Sequence, residues 1–86
     1  MAEEIQVPVT ILRRNNVQSH IGLSRSTLYL RISEGTFTKP ISLGGRSVGW
    51  PSHEVAALNA ARIAGKSDAE IRELVLKLEA ARKAVL

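Results

Sequence analysis

Cysteine is absent from the 86 residues, so neither a disulfide framework nor a thiolate zinc site supports this chain. Histidine is scarce too. His20 and His53 stand far apart with no shared ligand spacing, and no metal is expected. There is no run of about 18 uncharged apolar residues of the kind that spans a bilayer. The opening Met1-Ala2-Glu3-Glu4 is acidic, where a signal peptide is basic and then apolar, so a cytoplasmic location is expected. Catalytic groupings are missing as well: no Ser/His/acid set, no Gly-x-x-x-x-Gly-Lys loop and no paired histidines. The expectation is therefore a protein that is not an enzyme, with no cofactor and no small-molecule substrate.

What is present fits one small soluble domain, with 44% hydrophobic and 23% charged residues. The net charge of +4 is unevenly spread. Between residues 13 and 50, Arg13, Arg14, Arg25, Arg31, Lys39 and Arg46 face a single acid, Glu34. Residues 51–86 are nearly balanced, with six bases against five acids. A basic half of this kind suits a polyanionic partner.

Residues 1–11 read as a flexible arm, extended around Pro8. A short helix is expected from Asn15 to Ile21, capped by Asn15 or Asn16 and ended by Gly22. Leu23 is expected to be buried in the turn. Ser24 is the N-cap of a second helix from Arg25 to about Glu34, with Leu28 and Ile32 on its inner face and Gly35 as its stop. Ile41 and Leu43, then Val48 and Trp50, alternate with other residues on either side of Gly44-Gly45, which reads as a β-hairpin. Trp50 is assigned to the core and His20 to the surface or the core's edge. Pro51 fits the first turn of a third helix whose apolar members include Val55, Leu58 and Ile63 and which stops at Gly65. Ser67-Asp68-Ala69-Glu70 is a capping box that opens a last helix. Its stripe is Ile71, Leu74, Val75, Leu78, Ala81 and Val85.

Two short helices joined by a glycine turn, the second opening Ser-Arg-Ser-Thr, carry a helix-turn-helix signature. At the start of such a helix Ser24, Ser26 and Thr27 can donate to phosphates. Arg25 can reach a guanine edge and donate twice. Tyr29, one turn on, can meet a phosphate or a thymine methyl. The hairpin that follows serves as a wing, with Arg46 at its tip directed to the adjacent backbone or minor groove. Lys39, at the other end of the segment, is expected to contact phosphate, and Arg31 completes the set. The expected partner is double-stranded DNA.

From Leu12 to Leu58 the sequence resembles the AlpA-type phage and prophage regulators, a group close to excisionases and MerR-like proteins. The matching residues are Val17, Gly22 to Tyr29, Glu34 to Phe37, Lys39-Pro40, Leu43 to Trp50 and Glu54-Val55. The resemblance implies a mainly α fold with a small β-hairpin, a winged helix-turn-helix over residues 12–65 that binds specific DNA near prophage genes. Members activate an integrase promoter or help to direct excision. Similar sequences carry a basic residue where Leu30 stands and an apolar one at Arg31, and Arg14 and His20 occupy places that are commonly apolar. Either the helix phase shifts at residues 30–31 or the base contacts differ. The amphipathic helix of residues 66–86 has two open outlets, packing on the domain or a homodimer seam. Three functions follow: a transcriptional regulator, an excisionase-like architectural factor, and a protein-interaction module acting through the last helix.

Overall fold

The computed structural model describes residues 9–84. Its first element is a strand, β1 (Ile11–Leu12), followed by two short helices, α1 (Arg14–Ile21) and α2 (Arg25–Glu34). A hairpin of β2 (Ile41–Ser42) and β3 (Val48–Pro51) leads into α3 (Ser52–Ile63) and α4 (Asp68–Ala81), with a 3-10 turn at Arg82–Ala84. The expected two-stranded hairpin is part of a three-stranded antiparallel sheet, ordered β1-β3-β2. Leu12 pairs with Trp50, and Ile41 pairs with Gly49. The arm expected at residues 1–11 is thus corrected at its end. Ile11 lies in the sheet, and Thr10 exchanges backbone and hydroxyl hydrogen bonds with Ser52. The remainder of that arm, residues 1–8, lies outside the described residues.

Local chemistry explains most boundaries. Gly22 closes α1 in the left-handed conformation (φ 69°), and Gly35 closes α2 likewise (φ 82°), where a side chain would be strained. Ser24 caps α2 by accepting from the Thr27 N–H. The start of α1 differs from expectation. Its N-cap is Arg13 with no side-chain cap, and Asn15 and Asn16 fall within the first turn. Leu23 is half-buried, where full burial was expected. Pro51 ends β3 and forms the N-cap of α3, one position earlier than expected.

The core gathers Val17, Leu28, Phe37, Trp50, Val55, Leu58, Ala61, Ile71 and Val75 from the four α-helices, from β3 and from the connection between α2 and β2. Trp50 is fully buried, and its indole Nε1 donates to the Thr38 carbonyl at 2.9 Å, satisfying the polar end of a large side chain. Ile63 stays outside, 87% exposed. Ile71 and Val75 of α4 enter the core, and Leu74 and Leu78 pack against it. Ala81 is exposed, and Val85 lies outside the described residues. α4 also grips the chain with polar groups. Arg72 donates to the last carbonyl of α2 at Glu34, and Glu79 accepts from the Lys39 N–H at 2.8 Å. Among the described residues no helix is long and apolar enough to cross a membrane.

Candidate nucleic-acid interface

The side of α2 opposite the buried Leu28 faces solvent. It carries Ser26, Leu30, Ser33 and Glu34, with Tyr29 at its border, and Arg25 is exposed at the start of the helix. At the start of the helix the short hydroxyls form one network. Ser24 Oγ lies 3.0 Å from Thr27 Oγ1 and 3.4 Å from Ser26 Oγ, and accepts the Thr27 N–H at 3.3 Å. Arg25 is exposed and has no ion pair among the described residues. Tyr29 is 38% exposed and so presents only part of its ring.

Arg31 lies on a different flank. It is half-buried and lines a concavity with Ile21, Leu23, Phe37 and Leu58, its stem covering apolar surface. Leu30 points outward at 54% exposure. The backbone of α2 runs as one helix through both positions. Lys39 stands beside α4, next to Arg72, Leu76 and Glu79, and the wing tip is not part of that cluster. The eight expected residues thus fall into four places: the exposed start and side of α2, the concavity that Arg31 lines, the wing, and the seam with α4.

The wing turns at Gly44 (φ 103°) and Gly45 (φ 56°), closed by Leu43 N–H to the Ser47 carbonyl and Ser47 N–H to the Gly44 carbonyl. Positive φ at two successive positions explains the glycine pair. Arg46 sits on this turn and is exposed to solvent. Beside it lie two arginines, Arg13 and Arg14, to which the sequence assigns no DNA contact. Arg13, Arg14 and Arg46 line one concavity with Asn15 and Val48. Arg13 is fixed there because its Nε donates to the Val48 carbonyl at 3.0 Å. The signal that finds this group is β1, which brings residue 13 alongside the hairpin.

The sequence profile of the family described as prophage CP4-57 regulatory protein (AlpA) matches residues 10–63, from β1 to the end of α3. The chain belongs to the AlpA family of prophage regulatory proteins. A second similarity agrees. Protein ORF88 of Enterobacteria phage P4, described as uncharacterized, is 49% identical over 55 residues, which covers 64% of this chain and 62% of that protein. The aligned part thus spans less than two thirds of that phage relative's length. No solved structure matches. In this AlpA-family chain the matched region contains the α2 flank, the wing and the three-arginine concavity, while α4 lies beyond it.

Proposed function

We propose that this AlpA-family chain regulates phage or prophage transcription as a sequence-specific, double-stranded DNA-binding protein of the winged helix-turn-helix type. The observation that carries this reading is the exposed Arg25, without an ion pair among the described residues, at the start of α2, whose first turn contains no acid, with a glycine-turned hairpin after the helix and Arg46 at its tip. In this reading α2 lies in the major groove. Arg25 donates to a guanine edge, and Ser24, Ser26 and Thr27 meet flanking phosphates. Tyr29 touches the backbone or a thymine methyl, and the wing rests on the adjacent backbone or minor groove. Lys39 and the half-buried Arg31 serve as backbone contacts at the margins. Residues 12–65 form the reading unit. We assign α4 to the body of the domain in preference to a dimer seam, because the core takes up Ile71 and Val75.

The test is fluorescence anisotropy of the protein on duplexes from its own upstream region and a neighbouring integrase promoter, with a scrambled duplex as control. The expected result is at least about a hundredfold preference for one native duplex, weakening with salt. Arg25→Ala should cost about 1–3 kcal/mol on that duplex and relax its specificity. Equal loss on native and scrambled DNA would demote Arg25 from reading bases to holding phosphates.

A further inference from the structure

We infer that Arg13, Arg14 and Arg46 together form a clamp for one backbone phosphate of the duplex, a contact separate from the α2 flank. The inference rests on the DNA-binding reading above and adds to it a site and a ligand group. The three side chains come from two distant pieces of sequence, the β1–α1 junction and the wing turn, yet they line a single concavity. None of them has a carboxylate within 4.0 Å among the described residues, and the first turn of α1 contains no acid. Three like charges held in one place repel each other, so the arrangement is unfavourable until an anion arrives.

The parts are also held in place beforehand. Arg13 is tethered through Nε to the Val48 carbonyl, which leaves its terminal nitrogens available. Arg14 is steadied through Nε on the Gln18 side-chain oxygen at 3.1 Å, and its Nη2 has only a long contact, 3.4 Å, to Asn15 Oδ1. Arg46 has no hydrogen-bond partner among the described residues and sits on a turn shaped by glycines. A guanidinium presents paired donors that match two phosphate oxygens, and a phosphodiester is small enough to be met from several sides at once. The clamp commits the wing tip to the backbone and not to the minor groove. It also ties the wing to the start of α1 through the bound phosphate.

The experiment compares wild type with Arg14→Gln, Arg46→Gln and the double variant on a short random-sequence duplex, recording log K against log salt. Circular dichroism and thermal melting show whether each variant is folded. One phosphate of B-DNA contributes about 0.9 to the slope. A shared phosphate predicts that the double variant loses about that amount and no more, that Arg46→Lys keeps the wild-type slope, and that Lys77→Gln on α4 leaves it unchanged. An unchanged slope in the folded double variant overturns the clamp. So does a loss twice as large, built from equal single losses, because it means two separate phosphates. An equal loss in Lys77→Gln overturns it too, because it means a general charge effect. If wild type binds no duplex at any salt, the DNA-binding reading itself fails and takes the clamp with it. If wild type binds and Arg25→Ala still relaxes specificity, an unchanged double variant removes the clamp alone.

Discussion

Leu30 and Arg31 illustrate how much one turn of helix decides. Leu30 is exposed on the proposed DNA-facing side of α2, while Arg31 lays its stem over an apolar concavity. An apolar residue at position 30 offers phosphate nothing, so Leu30→Arg should strengthen binding to any duplex. The salt slope should steepen by up to about 0.9 with little change in melting temperature. An unchanged slope would show that this side of α2 does not approach the backbone. Gly49 makes a different point. In the middle of β3 it faces the crossing of β1, and an added Cβ would meet Ile11 Cγ2 at 2.5 Å and the Leu12 carbonyl at 3.1 Å. The leucine carbonyl cannot rotate away. Gly49→Ala should therefore destabilise the fold by about 1–3 kcal/mol, read from the urea midpoint. A variant as stable as wild type would mean that β1 yields at no cost.

At the scale of elements, the helices were legible in the sequence wherever a stop or cap is local chemistry. Gly22, Ser24, Gly35 and the Ser67–Glu70 box each act on backbone groups within a few residues. β1 was not legible, because a two-residue strand carries no period of its own and exists only through its pairing with Trp50 and Pro51. The arginine concavity was hidden for the same reason, since β1 is what sets Arg13 against Val48. At α1 the asparagines at positions 15 and 16 misled: the chain enters the helix directly from the strand, before either can act as a cap. The box at α4 allows a test of the local rule. Ser67→Ala should cost about 1 kcal/mol. Glu70 is held below the ordinary carboxylate pKa, chiefly because it accepts the Ser67 N–H and then because of the Ser67 hydroxyl and nearby Lys66. A lowered folded-state pKa means that this contribution is present above the unfolded value and is lost as pH falls through the folded one. Acid titration of the melting temperature should thus fall less steeply in Glu70→Gln than in wild type, and identical profiles would remove Glu70 from the account.

At the scale of the whole molecule, one ion pair ties the start of α3 to the turn that follows α4. Glu54 in the first turn of α3 is fully buried, and Arg82 beyond α4 grips it with two hydrogen bonds of 2.8 and 2.7 Å. The bonding to Glu54 raises the Arg82 pKa above its ordinary value, so the guanidinium remains charged across the working range. Arg82 also donates to the Lys39 carbonyl at 2.6 Å, and Glu79 accepts from the N–H of the same residue. The chain between α2 and the wing is thus held at both sides of Lys39 by the segment that lies beyond the family match. Removing Arg82 leaves a carboxylate in the interior without its cation, which typically costs 3–5 kcal/mol. Against a total stability of roughly 5–15 kcal/mol, that is a large share. Arg82→Met should therefore lower the urea midpoint sharply. Replacing both members, Glu54→Leu with Arg82→Met, should recover most of the loss, because two apolar side chains need no compensation inside. If the single variant is as stable as wild type, water reaches Glu54 once Arg82 is gone. The end of α4 would then be an ornament on the domain, and a version ending after residue 81 should bind DNA as well as the full chain. If the single variant fails and the double variant recovers, the last helix is part of what holds α2 and the wing in register.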